Sequence, residues 1–190
     1  MPILVDLDGT LFDTLDAHYS SYKEVLADYG FILHKELFRQ KCFGKASFAF
    51  LRELGFDAKV CNEIIWKKRA SFPSHLDKVV IHVDLHDYIQ RMRGQEYIAL
   101  FTNAQRETID LLLSQFGVSN LFNSIHSIED FLNSKPSQES FEFVLKRIPN
   151  GEVFLIDDMQ ENLLQCKNFG IIPIDITQIV KGFSLTQLEH

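Results

Sequence analysis

The chain has 190 residues, 46% hydrophobic and 24% charged, enough to bury the core of one ordinary domain and little more, which excludes a long disordered protein. Its formal charge of −7 argues against a general electrostatic footprint for nucleic acid, because phosphate backbones draw clustered Lys and Arg. No run approaches the roughly 20 apolar residues of a membrane helix, and Met1-Pro2-Ile3-Leu4-Val5-Asp6 lacks the basic region of a signal peptide, so the expectation is a cytoplasmic protein with no membrane partner.

In chain order, residues 2–6 form a short apolar run that ends abruptly in Asp6-Leu7-Asp8-Gly9-Thr10, as a buried parallel strand ends in a loop. Residues 14–93 break the strand rhythm. They read as helix after helix: 15–29 before Gly30, 34–42 before Gly44, 46–54 before Gly55, 58–71 capped by Asp57, and 85–92 leading back toward a sheet. Apolar runs then recur at 97–101, stopping at Thr102-Asn103, and at 153–156, stopping at Asp157-Asp158. A further run at 171–174 contains Pro173, which predicts a sheet edge, and a weaker one at 124–128 predicts a fifth strand. Amphipathic helices are predicted at 106–116, 138–148 and 160–169 between these runs. Strand followed by helix, repeated, gives an α/β fold with a parallel sheet. The interval 14–93 reads as an insertion, leaving 1–13 and 94–190 as the sheet domain.

Charge sorts with this division. Residues 14–91 carry 12 Lys/Arg against 10 Asp/Glu, and the remainder 7 against 16, so the acidic surplus belongs to the sheet domain. A mildly positive insertion and an acidic sheet edge suit an anionic substrate held with a metal cation. Three widely spaced cysteines, Cys42, Cys61 and Cys166, offer no disulfide framework and read as small buried thiols. His82 and His86 are four apart without the Glu of a zinc protease pattern and read as structural, most of the 17 phenylalanines read as core, and the terminal Leu188-Glu189-His190 has the look of a cloning remnant.

Ligands of open parallel sheets bind at the carboxyl ends of the strands, which here carry Asp6 and Asp8, Thr102 and Asn103, and Asp157 and Asp158. Like charges about 4 Å apart repel by roughly 4 kcal/mol at an effective dielectric near 20, so four carboxylates in one crevice call for a cation. Oxygen ligands without Cys or His favour magnesium over zinc. A carboxylate beside that ion can attack phosphorus, while a second carboxyl two residues away protonates the leaving oxygen and later activates water.

Asp6-Leu7-Asp8-Gly9-Thr10-Leu11-Phe12-Asp13-Thr14 resembles the first motif of the haloacid dehalogenase-like (HAD) hydrolase superfamily. Phe101-Thr102-Asn103, Ser134-Lys135-Pro136 before a helix, and Ile156-Asp157-Asp158 resemble its second, third and fourth motifs in order, so the resemblance spans nearly the whole chain. It implies a Rossmann-like three-layer core with an inserted helical cap of the first type, residues 14–93, covering the site. It further implies that Asp6 is the nucleophile and a magnesium ligand, and that Asp8 is the general acid/base whose backbone carbonyl also meets the metal. Thr102 and Lys135 would bind the phosphoryl group, with Asn103 assisting through its backbone or side chain. Asp158 would ligate magnesium directly, and Asp157 directly or through water. Many relatives carry a carboxylate where this chain has Asn162 and some branches carry Asn, so the resemblance implies that metal binding survives the change. Gly44-Lys45 falls in the loop that in such caps reaches the crevice, so Lys45 is the candidate for recognising the substrate beyond its phosphate.

The expected activity is that of a magnesium-dependent phosphatase acting on a small phosphorylated metabolite through an aspartyl-phosphate on Asp6, in a monomer or homodimer. The alternatives are a sugar phosphomutase of the same superfamily and a binding or regulatory module that keeps the fold without turnover.

Overall fold

The computed structural model describes residues 1–44 and 46–180, and these fall into two compact units, residues 1–12 with 81–180, and residues 13–80. The chain begins with β1 (Pro2–Val5), buried throughout, and passes through β2 (Phe12–Asp13) into the helical unit. That unit holds α1 (Leu15–Ala27), α2 (Lys35–Lys41), α3 (Ser47–Glu53) and α4 (Ala58–Ser71), then a 3₁₀ stretch over Phe72–Lys78. The short strand β3 (Val80–Ile81) pairs with β2. The rest alternates: α5 (Val83–Met92), β4 (Tyr97–Phe101), α6 (Arg106–Gln115), β5 (Ser124–His126), α7 (Gln138–Leu145), β6 (Val153–Asp157), α8 (Gln160–Cys166), β7 (Ile171–Asp175) and α9 (Ile176–Val180).

The five longer strands form a sheet in the order β5-β4-β1-β6-β7, and every pairing is parallel. This is the α/β architecture expected from strand–helix alternation, with Pro173 on the edge strand β7, where a missing N–H is tolerated. Register positions the chemistry. Val5 lies opposite both Leu100 on β4 and Ile156 on β6, so Asp6, Thr102 and Asp157 emerge at one end of three adjacent strands. Leu4, Ala99, Phe101, Phe141, Val144, Leu155 and Cys166 pack into one core cluster, each fully buried. Burial of a large apolar side chain contributes about 1.5–3 kcal/mol, and that cluster anchors the strands on which the register depends.

The helical unit has its own core, in which Tyr22, Leu26, Phe38, Phe50, Leu51, Cys61 and Ile64 are buried. The Tyr22 ring lies 5.7 Å from that of Phe38 and 6.0 Å from that of Phe50, between centroids. The Asp57 carboxylate accepts the Val60 N–H at 2.9 Å and caps α4, as its position in the sequence predicts.

Beyond shifts of one to three residues at helix ends, two boundaries differ from the sequence reading. The chain returns to the sheet unit at Ile81 rather than at residue 94, because α5 buries Leu85 and Ile89 and packs against α9. The predicted fifth strand stops at His126, because Ser127 and Asp130 form a capping box that turns the chain into a 3₁₀ turn over Ile128–Asp130. All three cysteines are buried and free. His82 is structural: its backbone N–H donates to Leu11 O, and its ring Nδ1 is hydrogen-bonded to Thr10 O. Among the described residues no helix is long and apolar enough to cross a membrane. Lys45 and Leu188-Glu189-His190 lie outside the described residues.

Candidate active site

The site is built on the carboxyl ends of β1, β4 and β6. Asp6 follows β1 directly, its N–H donating to Ile156 O at 3.0 Å, so the central strand pairing carries it into the crevice. The chain then folds back on itself, with Gly9 N–H donating to Phe12 O and Phe12 N–H to Leu7 O. Gly9 has φ +84, and a Cβ there would stand 2.4 Å from Asp158 Oδ2, so the turn and the close approach both require glycine. Thr10 Oγ1 donates to Asp158 Oδ1 at 3.4 Å.

Asp6, Asp157 and Asp158 each present one carboxylate oxygen within 4.8 Å of the others. Lys135 meets two of them: its Nζ donates to Asp6 Oδ1 at 2.8 Å, to Asp157 Oδ2 at 2.9 Å and to Phe101 O at 2.8 Å. An ammonium has three N–H donors, and all three are engaged. The electrostatics follow from this crowding. Burial pushes the Asp6 carboxyl up from its ordinary value, Lys135 pulls it back, and Asp157 and Asp158 push it up again. Asp158 is pushed up to about 7, by burial first and then by Asp157. Burial opposes the charge on Lys135, but Asp157 and Asp6 outweigh it and hold its pKa above that of an ordinary lysine.

Asp157 is saturated. Its Oδ1 accepts the Met159 N–H at 2.9 Å, its Oδ2 accepts Lys135, and Asn162 Nδ2 donates to both oxygens, at 3.0 and 2.9 Å. Asn162 therefore faces Asp157 with its N–H₂ end, and the nitrogen that meets Asp157 is a donor, not a metal ligand. The Asn103 side chain is committed as well: Oδ1 accepts the Lys135 N–H at 2.8 Å and Nδ2 donates to Lys135 O at 3.1 Å. Buried Thr102 accepts the Ala104 N–H on its Oγ1 at 3.1 Å and donates its own N–H to His126 O. Asp8 is half-buried in the turn after Asp6.

Most of the residues singled out in the sequence thus emerge from neighbouring strand ends, and Lys135 joins them from the loop before α7. The contacts of Phe101 O and Thr10 were not read from the sequence, where their closeness in the chain to Thr102 and Asp8 was the signal. The two asparagines were singled out there for other roles, Asn103 at the phosphoryl group and Asn162 at the metal, whereas their amides meet Lys135 and Asp157.

Three carboxylates and one ammonium leave the cluster with an excess of negative charge. An all-oxygen donor set with that excess fits a hard divalent cation such as magnesium.

The profile of the haloacid dehalogenase-like hydrolases matches residues 3–175. The chain belongs to that family. It is 24% identical over 184 residues to the pyrophosphatase PpaX of Bacillus velezensis, covering 95% of this chain and 84% of that protein. It is 25% identical over 186 residues to the PpaX of Halalkalibacterium halodurans, covering 95% and 85%. Among solved structures, CbbY of Rhodobacter sphaeroides in complex with phosphate superposes with a TM-score of 0.79 at 20% identity, over 92% of this chain and 84% of CbbY. At that identity the superposition speaks for the fold of this HAD hydrolase.

Proposed function

We propose that this HAD-family phosphatase is magnesium-dependent and hydrolyses a small phosphorylated metabolite through an aspartyl-phosphate on Asp6. The observation that carries the reading is the convergence of Asp6, Asp157 and Asp158 on one point, with Lys135 against two of them. The names of the relatives support the substrate class: PpaX is a pyrophosphatase, and CbbY has also been solved with xylulose-(1,5)-bisphosphate. Residues 13–80 would serve as the inserted helical cap.

Asp6 and Asp158, together with the Asp8 carbonyl, would hold the magnesium ion, with Asp157 reaching it directly or through water on an oxygen that a protein donor yields. When bound, the ion supplies positive charge beside the carboxylates and the phosphoryl oxygens, which lowers their mutual repulsion. Asp6 Oδ attacks phosphorus, the bond from phosphorus to the ester oxygen breaks, and Asp8 delivers a proton to that oxygen. Asp8, now ionised, takes a proton from a water molecule. The water oxygen bonds to phosphorus, the acyl phosphate bond breaks, and inorganic phosphate leaves with Asp6 restored. Thr102 borders the phosphoryl position from the end of β4. Lys135 favours the ionised form of Asp6 against the pull of burial and orients it; with its three N–H donors engaged by Asp6, Asp157 and Phe101 O, it does so in place of the phosphoryl-binding role expected from the sequence.

The test is Asp6→Asn, assayed for phosphate release from an aryl phosphate with magnesium present. The expected loss is about 10⁴-fold or more in kcat, as when a covalent nucleophile is removed. Turnover equal to that of the unaltered protein would contradict the nucleophile assignment.

A further inference from the structure

We infer that Asn103 is a positioning residue for Lys135 and does not itself hold the phosphoryl group. The inference rests on the reading of Asp6 as nucleophile. The Asn103 amide pairs with both backbone groups of residue 135, accepting its N–H at 2.8 Å and donating to its carbonyl at 3.1 Å. A side-chain amide here takes the place of a neighbouring strand: it satisfies the donor and the acceptor of a single residue in a loop that has no sheet partner at that point.

The pairing gains its force from what lies at the other end of the lysine. The Lys135 side chain is almost wholly buried, and its three N–H donors are engaged by Asp6, Asp157 and Phe101 O. Phe101 is the last residue of β4 and Asn103 follows two positions later, so one strand end grips the lysine twice, by a carbonyl at its ammonium and by an amide at its backbone. Both ends of the side chain are therefore tied to the same short stretch. Movement of the loop by a fraction of an ångström would carry Nζ away from Asp6 or leave Asp157 unpaired. Removal of the Asn103 amide frees the backbone end while leaving every acceptor of the ammonium in place. The damage then falls on the placement of the Asp6 carboxylate during attack, and the groups that hold the phosphoryl oxygens stay as they were.

A phosphoryl ligand and a positioning residue differ in what their removal does. Loss of a ligand weakens inorganic phosphate as an inhibitor; loss of a positioning group lowers kcat and leaves that inhibition alone. The experiment measures turnover of an aryl phosphate and inhibition by inorganic phosphate, with magnesium, for the full chain and for Asn103→Ala, Asn103→Asp, Lys135→Met and the Asn103→Ala/Lys135→Met double variant. Misplacement of a reacting group by about 1 Å costs on the order of 100-fold, so Asn103→Ala should lower kcat about 10–100-fold. Its phosphate inhibition constant should stay within about threefold of the unaltered protein, and Asn103→Asp, which keeps the acceptor for the Lys135 N–H, should regain part of the lost rate. In the Lys135→Met background, Asn103→Ala should add less than about threefold, since residues acting as one unit are not additive. A rise in the phosphate inhibition constant matching the fall in kcat, or losses that multiply in the double variant, would overturn the assignment. If Lys135→Met is too slow to assay, the split between kcat and phosphate inhibition decides alone. Failure of the underlying reading would look different: Asp6→Asn would retain full turnover whatever Asn103→Ala does.

Discussion

The two units solve different problems with similar material. The sheet unit buries charged side chains at one end of its strands: Asp6, Lys135 and Asp157 are buried there, with the lysine bonded to both carboxylates. The helical unit keeps its ion pairs on its surface, as between Lys67 and Glu63 or Lys35 and Asp16, and fills its interior with Phe38, Phe50, Leu51 and Ile64. In the first unit burial serves chemistry and leaves carboxylates crowded against one another; in the second it serves packing alone. The difference teaches that a parallel sheet can fix charged groups by strand register, at an electrostatic cost that a bound cation would remove.

The largest effect that should separate the units comes from Lys135→Met. It leaves Asp6 and Asp157 buried without their cation, and breaking a buried ion pair from one side costs about 3–5 kcal/mol. Urea denaturation should show that loss, and kcat should fall about 10²–10³-fold. A variant as stable and active as the unaltered protein would erase the contrast between the two interiors.

A smaller and subtler effect follows from the raised carboxyls. With its folded pKa near 7 against an ordinary 3.8, Asp158 binds more protons folded than unfolded between those values, and Asp6 shifts in the same direction. The metal-free protein should therefore be most stabilised by these groups below about pH 4 and lose that contribution as the pH rises through about 7. Saturating magnesium, which binds the ionised carboxylates, should flatten this fall. Thermal melts from pH 5 to 8, with magnesium and with a chelator, check it, and identical pH profiles in the two series would go against the cluster as a cation site. The smallest effect belongs to the helical unit. Asp57→Ala removes the cap of α4 and should cost about 1 kcal/mol in a denaturant titration while leaving the kcat for an aryl phosphate unchanged.

The sheet was legible because buried parallel strands read as apolar runs cut off by polar residues, and those polar residues are the ones that emerge at its edge. Pro173 even marked the outer strand. The return boundary was not legible, because α5 has the same helical pattern as the insertion, and only the packing of Leu85 and Ile89 assigns it to the sheet unit. The two asparagines were harder still. Nothing in a sequence says that Asn103 will pair with a residue 32 positions away, or that Asn162 will offer its N–H₂ end to Asp157. Side-chain amides carry a donor and an acceptor, and which one faces the site is set by neighbours that the fold supplies.

One chemical event at Asp6 underlies the proposed reaction. Rapid mixing with an aryl phosphate and magnesium, acid quench, and mass analysis of the proteolytic fragments should find a phosphoryl group on the fragment containing Asp6, absent from Asp6→Asn. Phosphate released at full rate with no acyl phosphate trapped, or a phosphoryl group on a different residue, would contradict it.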